Sequence, residues 1–126
     1  MLFRSPEITA DPSQLIQVLV NLVVNAFQAM PNGGILTIKT LSEKDNVIIV
    51  VIDTGVGMDQ ETLGQIFMPF FTTKDVDQGT GLGLSVAHGI ITAHGGEINV
   101  QSQNGKGSRF EIRFPLTYEE DRKSVV

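Results

Sequence analysis

A chain of 126 residues with 41% hydrophobic and 18% charged residues has the size and balance of one globular domain, and excludes the polar composition of a disordered chain. The absence of cysteine excludes a disulfide framework, a thiolate metal site and a thiol nucleophile, and suits a reducing compartment such as the cytoplasm. A formal net charge of −5 argues against nucleic-acid binding, which needs a basic stripe, so an anionic ligand has to be held locally by backbone N–H groups, a helix start, a lone lysine or a bridging cation.

No apolar run approaches the roughly 18 residues of a membrane span, and the opening MLFRSPE lacks a signal-peptide core. Asp11-Pro12 is a helix start, because Asp caps free N–H groups and Pro is tolerated at the first helical position. The pattern predicts a helix from there to Met30, stopped by Pro31-Asn32-Gly33-Gly34. GILTIKT and NVIIVVI, separated by the polar LSEKDN, read as strand, turn, strand. Val47 to Ile52 is apolar throughout, as in a central strand buried on both faces. A short helix is expected around Asp59 to Ile66, followed by FMPFFTTKDVDQGTG, too rich in Pro, Gly, Thr and Asp for regular structure. Leu84 to Ala93 reads as a helix closed by His94-Gly95-Gly96.

The last elements form a hairpin around Asn104-Gly105, in which Ile98 and Val100, then Phe110, Ile112 and Phe114, alternate with polar neighbours. Residues 119–126 are a charged tail after a domain expected over 1–118. Strands mixed with helices, without strict alternation, predict an α+β fold: a two-layer α/β sandwich whose mixed sheet has helices on one face.

Three features carry chemistry. On the first helix, Gln14, Gln17, Asn21, Asn25 and Gln28 fall within an arc about 80° wide, while the rest of the circumference is apolar, so the helix is expected to be buried nearly all round. Such amides are either a solvated or structural network or a polar floor for a ligand. In the second case Asn21 and Asn25, one turn apart, would offer oxygens to a hard ion such as magnesium. The second feature is Asp53 at the end of a buried strand, followed by Gly55 and Gly57. This is either a strand-ending turn or a site where a carboxylate accepts from a ligand amine and the glycines let a flat ring approach. The third is GTGLGLS. It matches neither GxxxxGK[ST] nor GxGxxG, yet Gly81 and Gly83 open a helix whose free N–H groups attract anions, with Lys74 nearby. A hinge and a solvated lysine would look the same.

Taken in order, these segments resemble the ATP-binding catalytic domain of two-component sensor histidine kinases, in the superfamily shared with gyrase, heat-shock 90 chaperones and mismatch-repair ATPases. QVLVNLVVNAFQAM is similar to the family's N box, DTGVGM to its G1 box, IFMPFFTTK to its F box and GTGLGLS to its G2 box. The closing GKGSRFEIRFP is similar to the family's final hairpin. The resemblance implies a Bergerat-type ATP-binding fold with ATP and magnesium as ligands. Asn25, with Asn21, would hold the magnesium ion. Asp53 would bind the adenine amino group in a pocket shaped by Gly55 and Gly57, with Ser108 where the family often has Thr. Phe67, Phe70 and Phe71 would anchor a lid. Thr73 and Lys74 of that lid, and Gly79, Gly81, Leu82, Gly83 and Leu84, would contact the nucleotide. Asn21, Asn25 and Lys74 would be the residues closest to the chemistry.

The sequence departs from the family at two positions. Gln28 stands where many members have a phosphate-binding Lys, which shifts phosphate binding towards the lid and the metal. Asn21 stands where superfamily hydrolases have a general-base Glu, and an amide cannot take a proton, which favours phosphoryl transfer over hydrolysis. His88 and His94 lie about 240° apart around one helix and read as structural or surface residues. The resemblance implies a phosphoacceptor histidine on a separate dimerisation domain upstream. The isolated domain would be monomeric and silent in autophosphorylation, within a homodimeric protein that passes phosphate to a response regulator receiver domain. An ATP-driven conformational ATPase, or a module that kept the fold and lost the ligand, are the alternatives.

Overall fold

The computed structural model describes residues 10–69, 71 and 83–116, and its first helix, α1, runs Pro12–Ala29. Asp11 caps it, accepting from the Ser13 and Gln14 backbone N–H groups at 3.0 and 3.4 Å and from the Ser13 hydroxyl at 2.9 Å. These bonds, the Ser13 hydroxyl foremost, hold the Asp11 carboxyl below its usual range. Past the helix end at Met30, Gly33 takes a left-handed φ of 92°, the conformation that the Asn-Gly-Gly stop calls for.

Strands β1 (Leu36–Glu43) and β2 (Asn46–Asp53) are joined by Lys44 and Asp45 alone. The expected turn LSEKDN is thus mostly strand: Ser42 pairs with Val47 and Glu43 with Asn46, so the ladder satisfies backbone groups that a longer turn would leave to water. Helix α2 is a single turn, Gln60–Leu63, shorter than the expected Asp59 to Ile66 because it is capped at Gly64. Asp59 accepts from the Thr62 N–H at 2.8 Å, and that bond holds its carboxyl low. Helix α3 (Gly83–Ala93) closes at Gly95, φ 74°, with Gly96 N–H bonded to the Ile91 carbonyl at 2.9 Å and Gly95 N–H to that of Thr92 at 3.0 Å, a Schellman end. Strands β3 (Glu97–Gln103) and β4 (Gly107–Pro115) form the final hairpin.

The strand order is β1-β2-β4-β3, and every pairing among the described residues is antiparallel, where the sequence pattern predicts a mixed sheet. Strands β2 and β3 do run parallel, as strands joined by a helical crossover tend to. But β4 lies between them and bonds to both, so no parallel ladder forms.

The α+β sandwich has its helices on one face. Val18 and Leu22 of α1 and Ala87 and Ile91 of α3 pack with Ile49, Val51, Phe110, Ile112 and Phe114 of the sheet. Each large side chain removed from water here contributes roughly 1.5–3 kcal/mol. In β2, Ile48 and Val50, on the opposite face, are also only 0% and 1% exposed, as a central strand requires. Helix α1 corrects its expectation: Ile16, Val20, Val24 and Phe27 are 46–64% exposed and form an outward apolar stripe. In a two-layer sandwich the sheet and one neighbouring helix cover only part of a helix's circumference. Among the described residues, no helix is long and apolar enough to cross a membrane.

Candidate functional site

The core-facing positions of three strands form rows across the sheet. One row is Val51, Phe110 and Val100; the next, two residues further along each strand, is Asp53, Ser108 and Ser102. Because the side-chain period is two, the polar row faces the same way as the core. Asp53 is 3% exposed and Ser108 7%, so this end of the core face carries buried oxygen atoms where the pattern calls for apolar ones.

These oxygens are tightly specified. Asp53 Oδ1 accepts the Gly55 N–H at 2.9 Å. Ser102 Oγ accepts the Met58 N–H at 2.8 Å, donates to the Gly107 carbonyl at 2.9 Å and lies 2.8 Å from Ser108 Oγ. Asp53, Ser102 and Ser108 also border an open basin of about 270 Å³, whose further lining by Ile52, Gln101 and Arg109 belongs to the alternate, outward-facing row. Ser102 escaped the sequence reading, although the signal was present: continuing the alternation Ile98, Val100 by one step lands on Ser102, and stepping back from Phe110 lands on Ser108.

The turn after Asp53 is fastened from two sides. Val56 N–H donates to the Ala29 carbonyl at the end of α1, 2.9 Å away, and the Val56 carbonyl accepts the Gly105 N–H of the β3–β4 turn at 2.7 Å. A Cβ at Gly55 would collide with the Ala29 carbonyl oxygen. Gly57, φ 70°, abuts the Gln103 carbonyl, and Gly107, φ 81°, abuts that of Asp53. The protein's own backbone therefore demands these glycines, a constraint that the ring-approach reading did not include.

On α1, the Gly83 carbonyl can only accept, so Asn21 turns Nδ2 to it, at 2.9 Å. Asn21 Oδ1 then accepts from Gln17 Nε2 at 2.8 Å. The amide stripe thus tethers α1 to the first residue of α3. Asn25 and Gln28 lie on the same face, partly buried, with interactions of their own. Gly83 and Leu84 open α3, whereas Phe70, Thr73, Lys74, Gly79, Gly81 and Leu82 lie outside the described residues. Phe67 and Phe71 pack against the core, and Phe67 stacks on His88 with centroids 5.0 Å apart.

His94 is a structural tie. Nδ1, 2.8 Å from the Ile90 carbonyl, donates to it, and Nε2 accepts the Asp11 N–H at 3.1 Å, so the ring ties the end of α3 to the start of α1. Among the described residues, no group of three or more His, Cys, Asp or Glu could hold a metal ion. A divalent ion here would have the amide oxygens of Asn25 and Asn21 as its protein ligands, chemically suited to a hard ion such as magnesium, with Asn21 Oδ1 shared with the Gln17 amide it already accepts from.

The sheet is covered by helices on one face, with a buried carboxylate at one strand end and an amide-lined helix beside a glycine-started one. Residues 10–118 match the family described as histidine kinase-, DNA gyrase B-, and HSP90-like ATPase, and the chain belongs to that family. Within it, the chain is similar to sensor histidine kinases. The sensor histidine kinase ZraS of Escherichia coli (strain K12) is 48% identical over 111 residues, covering 88% of this chain and 23% of ZraS. The nucleotide-free catalytic domain of histidine kinase ThkA is 38% identical with a TM-score of 0.75, over 86% of this chain and 70% of that one. Full-length ShkA in complex with AMPPNP is 30% identical with a TM-score of 0.78, over 90% of this chain and 24% of that one. The chain spans a quarter or less of the length of the curated relatives it matches.

Proposed function

We propose that this domain binds Mg-ATP and presents the γ-phosphoryl group to a histidine on a separate dimerisation and phosphoacceptor domain, as the catalytic part of a sensor histidine kinase. The observation that carries this reading is the buried Asp53–Ser108 pair at the end of the core face, in a chain of this family.

A carboxylate accepts and cannot donate, so Asp53 selects an exocyclic amine and orients the base. Gly55 and Gly57 fix the turn that holds Asp53. Asn25 and Asn21 would hold the magnesium ion, which when bound neutralises phosphate charge. Gly83 and Leu84, in the first turn of α3, would meet the phosphates, a role supported by the amide tether from Asn21 to the Gly83 carbonyl. By resemblance, Thr73, Lys74, Gly79, Gly81 and Leu82 complete the phosphate contacts. The described groups position and do not shuttle protons: Asn21 cannot act as a base, which directs the phosphoryl group to an acceptor brought from outside rather than to water. The isolated domain is then a monomer silent in autophosphorylation, and the phosphate passes on to a response regulator receiver domain in the cytoplasm.

Calorimetric titration with a non-hydrolysable ATP analogue should show binding that magnesium strengthens. Adding the upstream helical domain and labelled ATP should yield acid-labile phosphohistidine on that domain. No analogue binding with magnesium present would refute the reading.

A further inference from the structure

Ser102 has no part in the roles assigned above, and its hydrogen bonds leave one arrangement of protons. A hydroxyl has one proton to give and two lone pairs. The Gly107 carbonyl, 2.9 Å from Ser102 Oγ, can only accept, so the Ser102 proton goes there. The Met58 N–H, at 2.8 Å, takes one lone pair. The remaining contact, Ser102 Oγ to Ser108 Oγ at 2.8 Å, then has to be made with Ser108 as donor. Ser108 has spent its only proton. Towards any other partner it offers lone pairs, and so does Asp53, its register neighbour on β2.

We propose that Ser102 is a specificity-setting positioning residue: by fixing the proton of Ser108 it makes the Asp53–Ser108 wall accept only, so that the wall takes the 6-amino group of a purine and repels a 6-oxo group. The inference rests on the nucleotide reading above and goes beyond it, assigning base discrimination to a residue that need not touch the base. A 6-oxopurine would set its carbonyl oxygen against lone pairs on both Asp53 and Ser108. Without the Ser102 hydroxyl, the Ser108 O–H is released to rotate and donate to that oxygen, while its value to a 6-amino group falls.

The test is calorimetric titration of ATP and inosine triphosphate, which differ at position 6 and in the proton inosine carries on N1, with magnesium present; comparing variants by the ratio of the two affinities reads the change at the wall. In Ser102→Ala the ratio of ATP to inosine triphosphate affinity should fall about five- to tenfold, the worth of roughly one hydrogen bond. Ser102→Thr, which keeps a hydroxyl, should hold the wild-type ratio. Should Ser102→Ala fail to fold, Ser108→Ala carries the test: ATP should lose about fivefold while inosine triphosphate holds or gains. An unchanged ratio in Ser102→Ala, or equal losses for both nucleotides in Ser108→Ala, overturns the proposal while leaving ATP binding intact. Wild-type protein that binds neither nucleotide overturns the nucleotide reading, and this inference with it.

Discussion

The two faces of the sheet at β4 use polar residues in opposite ways. Outward, Arg109, Glu111 and Arg113 alternate along the strand; Glu43 lies 3.0 Å from Arg113, and Glu111 lies 3.5 Å from Arg113 and 3.9 Å from Arg109. The Glu43 bond holds the Arg113 guanidinium above its usual pKa. Inward, one carboxylate and two hydroxyls occupy a row, two of the three residues less than a tenth exposed. The outer face holds more charge and the inner face more consequence. Ion pairs at the surface are screened and contribute little, whereas a buried oxygen has to be matched by a donor, as Asp53 Oδ1 is by the Gly55 N–H. Polarity in phase with the core marks this site better than charge density does.

Asp53→Asn should have the largest effect on binding. It sets an N–H₂ group among acceptors chosen for an amine, so ATP affinity should drop at least about a hundredfold while the thermal transition stays near that of the wild type. Unchanged affinity in a titration would remove Asp53 from the site. Gly107→Ala attacks the same row through its backbone. With φ at 81° and the Asp53 carbonyl where a Cβ would go, urea unfolding should show a loss of roughly 2–4 kcal/mol. A variant as stable as the wild type would mean that the hairpin turn yields freely and is not a fixed wall. Glu43→Gln, on the outer face, should change least: nucleotide affinity within about twofold and a melting midpoint within about a degree. A binding loss like that of Asp53→Asn would erase the distinction between the faces.

Much of the fold was legible because its punctuation is local. Asp11-Pro12, His94-Gly95-Gly96 and Asn104-Gly105 act through neighbouring backbone groups, and the unbroken apolar run of β2 announces a strand covered twice. The antiparallel sheet was not legible, since the insertion of β4 between β2 and β3 is a long-range pairing without a local signature. Nor was the outward stripe of α1: periodicity counts apolar faces and says nothing of how many layers there are to cover them. Asp53 and Ser108 were singled out separately along the chain, and only the register makes them neighbours. Ser102 was visible in the alternation of β3, but a serine in a strand attracts no notice until its three partners are known. Gly55 and Gly57 read in the sequence as room for a ligand, and the Ala29 and Gln103 carbonyls give a second reason for them that no local pattern carries.

Val56 bonds through its N–H to the end of α1 and through its carbonyl to the hairpin turn, while its side chain is 60% exposed. The link from the end of α1 to the turn after Asp53 and the β3–β4 turn is therefore made of main chain, at a residue whose side chain is largely in solvent. A joint of this kind behaves as a rivet rather than a cushion. The end of α1 thus reaches the turn beside Asp53 through one short main-chain bond, and the same residue passes on to the hairpin turn through a second.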